Sequence, residues 1–327
     1  MSSSAYRLCT APMMDWSDRH CRFYFRQLAP HARLYTEMVT TGALLRGNAP
    51  RHLRFDPIEH PVALQLGGSE PSELARCAQL AQQWGYDEVN LNCGCPSPRV
   101  QRGVFGACLM SEPSLVAHCI KAMREAVSIP VTVKHRLGLD DTEDYAFTRR
   151  FVDTLAAAGC EVFLVHARNA VLKGLSPSDN RQIPPLRYTD VYRLKREFPE
   201  VTVVLNGGID TVDDACSHLR HVDGVMLGRA AYHDAYLLAQ LDAELWQTEP
   251  ISRKRVAERM FCYARQQVLE GVPLRAVTRH LLGLFHQCPG ARQWRRLLSD
   301  SSALRGNEPG VILQALAATE REILEVQ

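Results

Sequence analysis

The chain has no apolar run near the ~20 residues that span a bilayer. Met1 to Pro12 has no basic region leading into a long apolar one, so no secretory signal is read there. A cytosolic, reducing setting is the expectation, and disulfides are disfavoured in it. The cysteines agree with this: there are 11, an odd number, without framework spacing. Paired metal-ligand spacing is also missing. Cys93 and Cys95 are separated by one residue, where zinc sites usually use two to four, and no second Cys or His pair matches them, so no metal is expected. Net charge is scarce, at +2, and no internal repeat or low-complexity segment is visible.

What is present is alternation. Eight short apolar runs read as strands: Arg7–Ala11, Leu34–Glu37, Val62–Leu66, Glu88–Asn92, Val131–Lys134, Val162–His166, Val201–Asn206 and Gly224–Leu227. The segments between them are long enough for crossover helices, as at Glu70–Trp84, Pro113–Val127, Tyr145–Ala158 and Asp190–Phe198. Ser69 and Ser111 read as caps. Strands alternating with helices imply parallel pairing, and eight such units imply a closed (β/α)8 TIM barrel. The runs are rich in Val and Leu, as strands buried on both faces should be.

After about Asp242 strand signals stop, and Arg253–Glu270, Pro273–Phe285, Ala291–Ser299 and Pro309–Glu325 read as helices. The expected division is a barrel over 1–245 and a smaller all-helical domain over 246–327. From Ile251 to Leu298 ten Lys or Arg face only Glu258 and Glu270, and the tail turns acidic again at Glu308, Glu320, Glu322 and Glu325. That asymmetry fits a polyanion partner, and equally a solvated helical face.

In such a barrel, chemistry collects where strands end. Those positions hold Pro12-Met13, Glu37, Gln65, Asn90, Asn92, Cys95, Lys134, His135, Arg136, His166, Arg168, Asn206-Gly207-Gly208 and Gly228-Arg229. A converging ring of polar groups signals a site. The glycine turns after strands seven and eight, with Arg229, suit a phosphate-bearing ligand, because glycine lets backbone N–H groups approach the oxygens. Lys134 has two uses: a Schiff-base amine if its pKa is depressed, or a standing positive charge beside an anionic ligand. His166 could donate a hydrogen bond, titrate, or be a satisfied barrel histidine. The sharpest feature is NLNCGCPS, Asn90 to Ser97, which releases two thiols into a Gly-Pro turn at the end of a strand. A buried, inert thiol suits most of the other cysteines; Cys95, between Gly94 and Pro96, reads as reactive.

These motifs together resemble the tRNA-dihydrouridine synthases: APMMDWSD (Ala11–Asp18), LYTEM (Leu34–Met38), LQLGG (Leu64–Gly68), NLNCGCPS, VKHRLG (Val131–Gly138), HAR (His166–Arg168), NGGI and LGRAAY (Leu227–Tyr232). NLNCGCPS and the insertion Lys173–Leu186 look like the A-type subfamily, whose target is uridine 20/20a of the D-loop. LQLGG and NGGI are shared with other flavin barrels. The resemblance implies a cytoplasmic, monomeric flavoprotein that binds FMN at the barrel mouth and reduces it with NADPH. It implies hydride transfer from flavin N5 to uracil C6, with Cys95 protonating C5. A thiol with an ordinary pKa near 8.5 is mostly protonated at neutral pH and can act as an acid. Cys93 is then structural, and Cys95 sits on a mobile loop.

By the same resemblance Pro12, Met13 and Met14 line the flavin and Gln65 bonds the isoalloxazine edge. Lys134 faces the flavin's N1/C2 side, and His166 contacts flavin or uracil. Asn206, Gly207, Gly208, Gly228 and Arg229 hold the FMN phosphate, and Asn92 places the flipped uridine. Arg181 on the insertion, with Arg292, Arg295 and Arg296 at helical spacing, contacts tRNA phosphates. Three rivals remain at this point: a small-molecule flavin oxidoreductase of the dihydroorotate dehydrogenase type, an RNA-binding protein on a barrel scaffold, and a Schiff-base aldolase using Lys134. The basic helical segment counts against the first, and the complete ring of polar strand ends counts against the second.

Overall fold

A computed structural model of the chain describes residues 3–97, 100, 103–141 and 144–326. The strands are β1 (Leu8–Thr10), β2 (Leu34–Thr40), β3 (Val62–Gly67), β4 (Glu88–Cys93), β5 (Val131–Arg136), β6 (Val162–His166), β7 (Thr202–Asn206) and β8 (Gly224–Leu227). All pair in parallel, in the order β1-β8-β7-β6-β5-β4-β3-β2. The ring closes through Arg33, whose N–H donates to Leu8 O at 2.9 Å and whose carbonyl accepts from Thr10 N at 3.0 Å. This is the (β/α)8 barrel read from the alternation.

Two strands run two or three residues further than their apolar runs. β2 continues to Thr40 with a register shift between Tyr35 and Met38, and β5 continues to Arg136. The runs stop at the charged Glu37 and Lys134, where polarity reads as a strand end, but Met38–Thr40 and His135–Arg136 still belong to the strands. The expected serine caps are also corrected. The helices Pro71–Gln83 and Pro113–Ala126 begin with proline behind Glu70 and Glu112, without a side-chain cap. Proline has no N–H to satisfy at that position, and Ser111 Oγ instead donates to Cys108 O.

The barrel interior has two unlike walls. Tyr6, Cys9, Ala11, Val162, Leu164, Val204 and Met226 form an apolar cluster, which Tyr35 and Ala63 complete. Gln65, Asn90, Thr132 and Glu88, from β3 to β5, are buried and polar. Buried polar groups must be hydrogen-bonded, and these bond to one another.

The chain divides into two compact units: Met1–Met14 with Arg33–Gly228, and Asp15–Ala32 with Arg229–Gln327. The sequence places its division at 245/246; here residues 229–246 group with the helical unit. The reason lies in that unit's packing. The helices Arg19–Leu28 and Tyr236–Trp246, both missed in the sequence, pack on each other, and Arg19–Leu28 also packs on Arg253–Leu269. The expected helix Pro273–Phe285 is instead a short helix, Leu274–Thr278, followed by a 3-10 turn, Leu281–Gly283. Trp294 is buried and donates from Nε1 to Leu281 O at 2.7 Å.

Asp18 ties this unit together. It caps the Arg19–Leu28 helix by accepting from His20 N and Cys21 N at 2.9 and 3.0 Å. It also pairs with Arg279 at 2.5 Å and His280 at 3.1 Å. Burial pushes its carboxyl up, but the hydrogen bond and charge of His280, with the Cys21 amide, hold it well below the usual carboxylate range. The stability it supplies is therefore present at neutral pH and lost only in strong acid. Asp18→Ala should cost about 2–4 kcal/mol, the sum of a lost cap and a charge-assisted bond, and Asp18→Asn about half of that. Urea denaturation checks both; equal losses for Ala and Asn would remove the charge from this account.

Candidate active site

The mouth of the barrel is built from strand ends, and one amide organises its thiol. Asn92, near the end of β4, accepts from Gly94 N and Cys95 N through Oδ1 at 3.1 and 3.0 Å. Cys95 O in turn accepts from Ala107 N at 2.9 Å. Gly106 permits that closure: its φ is +77°, and a Cβ there would lie 2.6 Å from Cys95 O. Cys95 is thus tied through both its backbone N–H and its carbonyl, on the loop that the sequence reads as mobile. Its side chain is half-buried, while Cys93 is fully buried and burial pushes its thiol well up.

Across the mouth, Lys134 Nζ donates to Asn206 Oδ1 at 3.0 Å, and Asn206 Nδ2 donates to Met226 O at 2.8 Å. The second bond fixes the Asn206 amide so that its oxygen faces the amine. Lys134 keeps partial access to solvent. Desolvation, aided by the neighbouring Arg136 guanidinium, lowers its pKa to about 7. Between that value and the ordinary ammonium range the unfolded chain binds a proton that the folded chain does not. This group therefore costs stability as pH falls through that window, and an anionic ligand offsets the cost by restoring the charge.

The two residues after Lys134 part ways. His135 points out of the barrel, with its ring 5.2 Å from Phe151, and burial lowers its pKa to about 4. Arg136 is buried and braces three loop carbonyls: Nε donates to Gly94 O at 3.1 Å, and Nη1 donates to Asn169 O and Asn180 O at 2.8 Å each. It links the Cys95 loop to the insertion after β6. Asn180 closes that insertion: its Oδ1 accepts from Val171 N at 2.7 Å, and its Nδ2 donates to Val171 O at 2.9 Å. Arg168 also donates to Pro184 O within it. The sequence marks Arg136 as a mouth residue without this role, and it gives no sign of Asn180, whose partners lie in its own loop.

His166 ends β6, nearly buried. Burial, then the charges of Arg136, Lys134 and Arg168, hold its pKa well below the usual imidazole value, so it is neutral at physiological pH. Gly207 and Gly208 follow β7 at φ of +110° and +67°. A Cβ on Gly207 would lie 2.5 Å from the His166 ring, and one on Gly208 would lie 2.5 Å from Leu186. Tyr188 OH, unmarked in the sequence, donates to Gly207 O at 3.0 Å and holds the turn. At Gly228 a Cβ would meet nothing closer than Ala11 at 3.5 Å. Protein packing does not demand a glycine there, so the position leaves room for another molecule's close approach.

Pro12 and Met13 are half-buried after β1, and Met14 is exposed. Arg181 is exposed on the insertion. In the helical unit Arg229 opens the short helix Arg229–His233. Arg292, Arg295 and Arg296 are exposed on Ala291–Ser299, with Trp294 buried on its other face. Other members of the basic segment are engaged internally. Lys254 pairs with Glu320, Arg255 with Glu258 and Arg279 with Asp18, and Arg253 covers the Tyr236 ring at 3.6 Å. The side chain of Glu325 lies outside the described residues. Among the described residues no group of three or more His, Cys, Asp or Glu could hold a metal ion, and no helix is long and apolar enough to cross a membrane.

A (β/α)8 barrel whose mouth gathers two amides, an amine near its titration point, a neutral imidazole and a half-buried thiol on a tethered loop has the polar groups of an enzyme site. The comparisons specify which. Residues 9–322 match the family model described as Dihydrouridine synthase (Dus). The tRNA-dihydrouridine(20/20a) synthase of Xanthomonas axonopodis pv. citri is 56% identical over 318 residues, covering 97% of this chain and 95% of that one. Those of Salmonella typhimurium and Vibrio vulnificus are 54% and 52% identical, covering 95% and 97% of this chain and 95% and 98% of theirs. The chain belongs to the dihydrouridine synthase family.

One titration checks the electrostatics of the mouth directly. Acylation of Lys134 by an amine reagent in the ligand-free protein, followed by mass spectrometry, should rise with pH about a midpoint near 7. Surface lysines should rise only toward ~10.4. Arg136→Met should move the Lys134 midpoint up by removing the second cause of its depression. A Lys134 midpoint equal to that of the surface lysines would contradict the assigned burial.

Proposed function

We propose that this dihydrouridine synthase reduces the C5–C6 double bond of uridine in the tRNA D-loop, at position 20/20a, using FMN reduced by NADPH. The target follows the names of the relatives, which align with this chain almost from end to end. One observation carries the chemistry: Cys95 is tethered through the Asn92 amide, which also bonds Gln65. A positioned thiol beside a row of amides and an amine suits proton delivery to a planar, anionic redox pair.

The residues present fit FMN. The left-handed Gly207-Gly208 turn and the room beside Gly228 suit a phosphate approached by backbone N–H groups, and Arg229, next in the chain, adds charge. Pro12, Met13 and Met14 suit the apolar ring face. Gln65 offers an amide to the ring edge, and Lys134 an ammonium to its N1/C2 side, where negative charge collects. When bound, FMN supplies the hydride that C6 of uracil receives, after taking it from NADPH.

The chain's own residues do the rest. Cys95 Sγ–H gives its proton to C5, and Asn92 places the base that has left its stack. His166, neutral at working pH, hydrogen-bonds flavin or uracil rather than supplying a proton. Arg181, Arg292, Arg295 and Arg296 contact tRNA phosphates. The division of labour is a catalytic barrel and a helical tRNA-binding domain, acting as a monomer in the cytoplasm with no metal.

The purified protein should be yellow and release FMN on denaturation. A colourless preparation that FMN cannot reconstitute would sink the cofactor assignment. Cys95→Ala should leave flavin reduction by NADPH intact while uridine reduction falls by ~10²–10⁴-fold, the usual cost of a lost general acid. Cys93→Ala should do much less, and identical behaviour of the two variants would overturn the assignment within NLNCGCPS. Replacing Arg295 and Arg296 by Ala should flatten the slope of log affinity for tRNA against log salt by about one to two units, since each phosphate contact contributes roughly 0.7–0.9. Wild-type affinity and slope in the double variant would move the tRNA surface elsewhere.

A further inference from the structure

The amides at the mouth are the top of a hydrogen-bonded chain that runs down the polar wall to the barrel floor. Asn92 Nδ2 donates to Gln65 Oε1 at 2.9 Å, and Gln65 Nε2 donates to Asn90 Oδ1 at 2.7 Å. Asn90 Nδ2 donates to Thr132 Oγ1 at 2.8 Å, and the Thr132 hydroxyl donates to Glu88 Oε1 at 2.5 Å. All five side chains are buried. Glu88 opens β4 and Asn92 lies four residues on, so the chain climbs about 13 Å at ~3.3 Å per residue. At its foot Tyr35 OH also donates to Glu88 Oε1 at 2.8 Å. Arg33 Nη1 lies 3.2 Å from Glu88 Oε2, an ion pair whose angle is not that of a hydrogen bond.

The direction of every link is forced. A carboxylate only accepts, so the single hydrogen of the Thr132 hydroxyl goes to Glu88. The oxygen of Thr132 must then take an N–H from Asn90, which turns the Asn90 carbonyl toward Gln65. Gln65 must donate there, which turns its own carbonyl toward Asn92. Asn92 must donate in turn, which leaves Oδ1 for the backbone N–H groups of Gly94 and Cys95. Those two donors demand the same orientation from above. Reversing any one amide sets two donors or two acceptors face to face.

We propose that Glu88, with Arg33 as its counter-ion and Thr132 as its first link, is a positioning residue for the reaction. It holds the Cys95 loop and the orientation of the Gln65 amide from the opposite end of the barrel. The proposal rests on the reading of Cys95 as proton donor. A merely structural polar wall would lose stability when cut but would not single out Cys95.

Thr132→Val and Tyr35→Phe distinguish the two. Each removes one donor from the same Glu88 oxygen; Thr132→Val also leaves Asn90 Nδ2 without its acceptor, and only it cuts the chain. The probe is iodoacetamide alkylation of the protein without tRNA, with peptides resolved by mass spectrometry. Exposed Cys262 serves as reference and buried Cys93 as a reporter of unfolding. In Thr132→Val, Cys95 should alkylate about fivefold faster or more, the factor that one net hydrogen bond represents. Cys262 and Cys93 should not change. Its kcat for uridine reduction should fall by about the same factor, with KM for tRNA within about twofold. Thr132→Ser should restore both, and Tyr35→Phe should leave both near wild type. Equal effects of Thr132→Val and Tyr35→Phe, or no effect of either, would overturn the proposal.

A second measurement needs no variant. With 15N-labelled Asn and Gln, the side-chain amides of Gln65, Asn90 and Asn92 should exchange with water far more slowly than that of exposed Gln314; equal rates would overturn the proposal. Should the protein bind no flavin, the function proposed above would fail, while the alkylation and exchange results would still report on the chain.

Discussion

A closed barrel with polar side chains on one interior wall must satisfy them without water, and that constraint shapes this molecule from floor to mouth. The Arg33–Glu88 pair sits where strands begin, enclosed by Tyr6, whose ring lies 4.6 Å from the guanidinium, and by Tyr35. A buried pair is weak evidence of net stability, because desolvation can match the Coulombic gain, but losing one partner leaves a costly bare charge. Its worth here lies in direction. A lone-pair-only group at the floor gives the amides above it one permitted arrangement, and the apolar wall opposite, from Val162 to Met226, offers them no competing partner.

At the mouth the backbone of Cys95 is held between Asn92 Oδ1 and Ala107 N. On the adjacent strand Lys134, the register partner of Asn92, is held against Asn206 with its ammonium disfavoured by burial and by Arg136. A site in that condition favours an anion, which restores the lysine's charge as it binds. His166 is kept neutral by burial and then by its positive neighbours. The proposed proton donor is therefore the thiol, although the histidine stands at the end of a barrel strand, where a general acid is often found.

The strand starts and the parallel order were legible because hydrophobic period and run length report on strands buried on both faces. The residues at the ends of those runs were legible as a candidate site because their polarity interrupts that pattern. The strand ends were less so, since the runs stop at the charged Glu37 and Lys134 while Met38–Thr40 and His135–Arg136 still belong to strands. What escaped depends on contacts that no period encodes. Asn180 stitches its own loop, Tyr188 holds the glycine turn, and Arg136 clasps loops from two strands. The helix Arg19–Leu28 lies between β1 and β2 in sequence but belongs to the helical unit, and the sequence reading missed it. The basic segment misled in part, because composition counts Arg253, Lys254, Arg255 and Arg279 alike with Arg295, although those four are engaged inside the unit.

The central claim is that this barrel delivers a hydride and a thiol proton to one uridine of tRNA. The most direct measurement incubates tRNA lacking dihydrouridine with the protein, FMN and deuterium-labelled NADPH in ordinary water, then digests it and weighs the fragment that carries position 20/20a. The account predicts that this fragment alone gains one deuterium, at C6, and one solvent-derived hydrogen, at C5. A labelled, reduced flavin with no mass change in the tRNA would contradict it, as would label appearing at C5.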